Sequence, residues 1–169
     1  MKPEDLALQT ELVSQELIRP VVLADVLGHL DPTRTASTYC GDGRTNIAST
    51  LQEVFEPFNH FAIFGGPVFL TPSFKGFDMW LADCLLKNIR VPVEEMPIDN
   101  IVAVLHYPCA VICHLEQNLL DTYQMFKELP GAIKHSGLFK GIFPFLHIKS
   151  TERGVTSQVF YELGRKSAE

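Results

Sequence analysis

Cys40-Gly41-Asp42-Gly43-Arg44 places a thiol, a carboxylate and a guanidinium at alternate positions along five residues. Farther along, His106-Tyr107-Pro108-Cys109 adds an imidazole and a second thiol. Two thiols and an imidazole are a donor set suited to zinc, and three side chains leave a fourth position open to water or substrate. Asp42 and Arg44 would then stand beside the metal. The bland alternative is two buried thiols and a core histidine, with Asp42 capping the helix that follows and Arg44 a surface charge.

For the two motifs to meet, the elements that carry them must end at one rim. The 33–39 stretch is β-prone and leads into Cys40, and the 98–105 stretch is an apolar strand leading into His106. Behind Arg44 a helical stripe of Ile47, Leu51, Val54 and Phe55 is spaced to pack on a sheet. The apolar 58–64 run reads as a parallel strand covered on both faces, stopping at Gly65-Gly66-Pro67. After a loop over 67–75 comes a helix with Phe77, Trp80, Leu81, Cys84 and Leu85 on one face. Pro92 and Pro97 bracket an extended link into the next strand.

A helix is expected from Pro108 to about Leu129, with Ile112, Leu115, Leu119, Tyr123 and Phe126 inward and Pro130-Gly131 as its stop. The 141–148 and 155–163 stretches alternate as strands of a hairpin at the sheet edge. Ahead of all this, residues 4–17 and 21–30 read as two helices separated by Pro20. Strands alternating with helices predict an α/β fold, a mainly parallel sheet flanked by helices with a C-terminal edge hairpin. One domain over residues 1–169 is expected, with an N-terminal helical segment over 1–32 and the α/β core over 33–169.

In such sheets ligands gather at the carboxyl ends of the strands, where Cys40, Gly65-Gly66 and His106 all fall. Cys109, on the first helical turn, gains from the positive end of the helix dipole, which favours thiolate. Cys113 follows one turn later and reads as a small core residue, with a redox or alternative-ligand role behind, and Cys84 reads as core. His114 reads as solvated. Phe61, Phe64, Phe69, Phe74 and Phe77 are mostly packing, with one or two free to wall a dry pocket. His29, His60, His135 and His147 have no partner that the sequence names.

Bulk properties exclude several classes. A net charge of −6 with no cluster of Lys and Arg argues against a nucleic-acid groove or a membrane-surface helix. An apolar fraction of 46% and a charged fraction of 20% suit a globular chain, and no apolar stretch is long enough to span a bilayer. Met1-Lys2-Pro3-Glu4-Asp5 lacks the charged-then-apolar order of a signal peptide, so a cytoplasmic location is expected. Four cysteines are too few for a disulfide scaffold of this length and point instead to metal or catalysis.

Cys-x-Asp-x-Arg after one strand and His-x-x-Cys after another resemble the β-class carbonic anhydrases. The likeness is greatest to their small bacterial relatives with Cys-x-Asp-Gly-Arg, a Gly-Pro turn and His-x-x-Cys, and it covers roughly residues 34–128. The resemblance implies that Cys40, His106 and Cys109 are zinc ligands and that Asp42 and Arg44 are the catalytic pair. It implies a zinc lyase, a carbonate dehydratase that hydrates carbon dioxide to bicarbonate by zinc-bound hydroxide. Asp42, released from Arg44, would instead close the metal as a fourth ligand. Alternatives within the same likeness are a carbonyl sulfide or carbon disulfide hydrolase and a non-catalytic zinc-binding protein. A homodimer or higher homo-oligomer acting on a small molecule is also implied. Gly43 stands where serine is common, Ala110-Val111-Ile112 stand where larger enzymes have glycine first, and Gly65-Gly66-Pro67 matches the family's loop only loosely.

Overall fold

The computed structural model describes the chain except residues 43–46, 55–58, 96–97, 153 and 165–169, together with the side chains of 59, 86 and 89–95. Its centre is β4 (Asn100–Tyr107), in which every residue from Ile101 onward is buried. Such a run of apolar residues is stable only when neighbours cover both faces and both edges. On the edges, β4 pairs in parallel with β2 (Thr35–Cys40) and with β5 (Gly141–Glu152). Ile101, Ala103 and Leu105 join one apolar cluster with Phe126, Leu129 and Ile133 of the helix α6 (Leu119–His135). Val102 and Val104 join a second cluster with Leu23 and Leu27 of α2 (Leu23–Leu27) and with Ile47 and Leu51 of α3 (Ile47–Val54). Each fully buried Val, Leu or Ile contributes about 1.5–3 kcal/mol, so these two layers hold the strand in place.

Outside β2 lies β3 (Asn59–Ile63), also parallel, and outside β5 lies the antiparallel β6 (Val155–Leu163). The sheet order, with β1 (Ile18–Val21) at one edge, is β1-β6-β5-β4-β2-β3. The α/β class and the mainly parallel sheet with flanking helices are as expected from the sequence. The hairpin joins the sheet through β5, and one more strand pairs beyond it. This is β1 (Ile18–Val21), antiparallel to β6 at the outer edge, where a second helix was expected to start. Pro20, opposite Tyr161, is tolerated because an edge strand has one side free of ladder bonds. The helix expected over 21–30 is shortened to α2.

At the other edge β3 departs from the expected covered strand: His60, Ala62, Ile63 and Phe64 are exposed. An apolar run of four, Phe61 to Phe64, reads alike at a sheet centre and at a thinly covered rim. The helix α4 (Met79–Glu95) continues through Pro92, where an extended link was expected. Trp80 is 74% exposed rather than inward, and Ala82 takes the buried position. The helix expected over 108–129 is two helices, α5 (Ala110–His114) and α6, with Glu116 between them at φ 55°. Asn118 and Asp121 start α6 with a reciprocal capping box. Pro108 precedes the first helix, and Pro130 lies inside the second. Burial of Leu129 and Ile133 outweighs the roughly 3 kcal/mol that an interior proline costs, and α6 runs on. Among the described residues no helix is long and apolar enough to cross a membrane.

Candidate metal centre

Parallel pairing brings the carboxyl ends of β2 and β4 side by side. Cys40 is the last residue of β2, His106 the penultimate residue of β4, and Cys109 the N-cap of α5. One ligand atom from each lies within 4.8 Å of the others, and all three residues are buried. The two Sγ atoms are 3.9 Å apart. Two thiolates on one tetrahedral zinc, at bond lengths of about 2.3 Å, would stand about 3.8 Å apart. Both ring nitrogens of His106 are buried without a partner of hydrogen-bond geometry, its interaction with Cys40 falling short of one. Leaving a buried donor or acceptor unpaired costs about 1–3 kcal/mol, and an ion accepting one nitrogen removes part of that cost. The residues present fit zinc.

Backbone N–H groups surround the first sulfur. Gly65 N–H donates to Cys40 Sγ at 3.1 Å, and the Asp42 N–H donates to it as well. Gly65 and Gly66 take φ values of 83° and 55°, in the region that favours glycine. A Cβ on Gly66 would lie 2.6 Å from the Cys40 nitrogen and from the Tyr39 carbonyl carbon, so only glycine lets this turn sit against β2. Sequence reading placed the pair at the strand end and missed its bond to sulfur. That contact requires knowing that β3 pairs with β2.

The sulfurs share their protons unequally. The hydrogen bond from Cys109 lowers the pKa of Cys40 most; burial opposes it, while His106 and the Asp42 N–H add to it. Cys109 is pushed up by the same bond to Cys40 and then by burial, against the N–H groups of Val111 and Ile112. The dipole expected to favour thiolate at Cys109 acts in that direction through the N–H groups of Val111 and Ile112. It comes from a helix of five residues.

Between the ligands on β4, the Tyr107 hydroxyl donates to Asp5 Oδ2 at 2.9 Å, a buried contact that ties α1 (Pro3–Ser14) to the site. Asp42 is buried, 6% exposed. Arg44, and with it the expected pair, lies outside the described residues, as does Phe55. Cys113 and His114 are exposed on α5 and stand apart from the triad, and Cys84 is half-buried on α4. His29 and His135 are exposed, while His60 Nδ1 is 2.9 Å from Ser37 Oγ. His147 is 1% exposed and is the register partner of His106, a neighbour that strand alternation alone never names. Phe69 and Phe74 meet edge to face and, with Ala110 and Val111 of α5, wall a hollow of about 470 Å³ that none of Cys40, His106 and Cys109 lines.

Comparison with known proteins gives little beyond this geometry. No family model matches the chain, and no curated protein matches it. Among solved structures, the crystal structure of carbonic anhydrase from Streptococcus mutans is similar at 18% identity, covering 94% of this chain and 98% of that one, with a TM-score of 0.45.

Proposed function

We propose that the chain is a zinc-dependent enzyme that hydrates carbon dioxide to bicarbonate at Cys40, His106 and Cys109. The carrying observation is a buried imidazole with two unpartnered nitrogens beside two thiols at zinc-ligand separation. The resemblance of Cys-x-Asp-Gly-Arg and His-x-x-Cys to the β-class motifs supports the choice of reaction.

A bound zinc supplies Lewis acidity, which makes water a nucleophile near neutral pH. The chain's own residues set how strongly. Two thiolates donate more charge than imidazoles would, which tempers that acidity, while the N–H groups of Gly65 and Asp42 withdraw some of it from Cys40. The buried strand ends exclude bulk water, so charge–charge interactions there are strong. In this reading the Asp42 carboxylate, held by Arg44, accepts a hydrogen bond from the attacking water and orients it. Swung onto the metal, the same carboxylate would close the site. The chain acts as one domain over residues 1–169, in the cytoplasm, as a homodimer or higher homo-oligomer.

A second reading keeps the site and changes the substrate to carbonyl sulfide or carbon disulfide. The apolar hollow walled by Phe69, Phe74, Ala110 and Val111, which opens one residue after Cys109, is the feature that favours it. Purified protein assayed for zinc, for proton release on mixing with carbon dioxide, and for sulfide release from carbonyl sulfide separates the readings. One zinc per chain with rapid proton release is the expected result. Sulfide release alone selects the second reading, zinc with neither activity indicates a binding protein, and absence of zinc ends the metal-centre reading.

A further inference from the structure

Among the described residues two imidazoles, not one, are buried short of partners in this part of the sheet. His106 on β4 and His147 on β5 are register partners in a parallel pair, so their side chains leave the sheet on the same face. His147 is 1% exposed, and its ring lies on Phe160 with centroids 4.6 Å apart. The Gln158 side chain hydrogen-bonds it, yet His147 Nδ1 is buried with no partner.

A neutral imidazole carries one donor and one acceptor. If the Gln158 carbonyl takes the proton on Nε2, Nδ1 is left as a bare acceptor. A histidine bound to a metal through one nitrogen keeps an N–H on the other, and metal-ligating histidines pass that N–H to an outer acceptor that fixes the ring. Within the described residues, His106 has no such acceptor among its hydrogen bonds. Its register neighbour has an acceptor and no donor for it. The two lacks are complementary.

We propose that His147 is the outer partner of His106, its Nδ1 accepting, directly or through one water, the ring N–H that metal binding leaves on His106. The proposal rests on reading Cys40, His106 and Cys109 as a metal centre. His147 touches neither metal nor substrate and is a positioning residue. It fixes which nitrogen of His106 faces the sulfurs, and Gln158 and Phe160 in turn fix His147. A histidine kept only for packing on Phe160 would leave its buried acceptor unpaired.

The test uses the full chain and zinc itself. Zinc affinity is measured by competition with a chromophoric chelator for the parent, His147→Leu and His147→Asn. The leucine variant is expected to lose about 10–100-fold in affinity, as outer partners of metal ligands do. The asparagine variant, which sets an amide oxygen near the position of Nδ1, should recover most of that loss. The visible spectrum of the cobalt-loaded protein should shift in the leucine variant and return in the asparagine variant. In the ¹⁵N spectrum of the zinc-loaded parent, His147 should be protonated on Nε2 and bare on Nδ1. Should the leucine variant fail to fold, the asparagine variant and that spectrum decide alone. Equal affinity and equal cobalt spectra across the three proteins, or a proton on His147 Nδ1, would overturn the proposal and leave the metal centre standing. A parent that binds no zinc would overturn both.

Discussion

The two ends of the central strands are built on opposite principles. At the amino ends, Arg34 just before β2 and Lys140 just before β5 both pair with Asp99 just before β4, Lys140 at 2.8 Å. The Asp99 N–H donates to the Arg34 carbonyl, and the Asp99 carbonyl accepts from the N–H groups of Lys140 and Gly141. Charge there meets charge, in reach of water. At the carboxyl ends β2 and β4 finish in sulfur and imidazole, buried beside His147 of β5, with His106 and one nitrogen of His147 unpartnered. An open end can satisfy its polar groups with each other or with solvent, so its charges cost little and contribute little. A closed end with unmet donors and acceptors is stable only if something brought in meets them.

That contrast can be broken by substitution. The largest effect is expected from the ligands: Cys40→Ser or Cys109→Ser should lower zinc affinity by well over the roughly 100-fold that outer partners control. Equilibrium dialysis checks this, and Asp99→Asn in the same assay should leave zinc binding unchanged. Next comes Gly66→Val. Its side chain would start 2.6 Å from β2 backbone at a φ of 55°, and a loss of about 3 kcal/mol or more is expected in urea unfolding.

Asp5→Ala is smaller. It strips the buried Tyr107 hydroxyl of its acceptor at a cost of about 1–3 kcal/mol, and adding Tyr107→Phe should recover part of it because both polar groups are then gone. Thermal unfolding of the single and double variants reads the difference.

The smallest effect belongs to the open end. Lys140 first, and with it Arg34, hold the Asp99 carboxyl below its ordinary value of 3.8, against desolvation. Its stabilising contribution is therefore present above that pH and is lost as pH falls through the lower folded value. Asp99→Asn should lower the urea midpoint slightly at pH 7 and not at strongly acid pH, flattening this acid limb in a pH series, and salt should mask the difference.

Much of this contrast was legible in the sequence, because it rests on local chemistry. Ile101 to Leu105 could be nothing but a covered strand, and Thr35 to Cys40 a strand leading to a thiol. Turns after them had to deliver Cys40, His106 and Cys109 to one rim of a parallel sheet. What escaped depends on partners distant in the chain. Pro20 looks like a helix break until β6 offers it an edge, and β3 looks covered until the sheet order leaves it, among the described residues, at the rim. Trp80 looks like core because helical spacing cannot say which of two apolar stripes faces inward. Pro130 looks like a stop because the buried stripe through Ile133 is weighed only once α6 has a sheet to pack on. His147 is one residue of an alternating strand, and its relation to His106 exists only in the register.

X-ray absorption at the zinc edge of the zinc-loaded protein near neutral pH tests the closed end most directly. The expected shell has two sulfurs at about 2.3 Å and one imidazole nitrogen at about 2.0 Å, completed by a light oxygen scatterer. A shell without sulfur, or protein that takes up no stoichiometric zinc, would contradict the account.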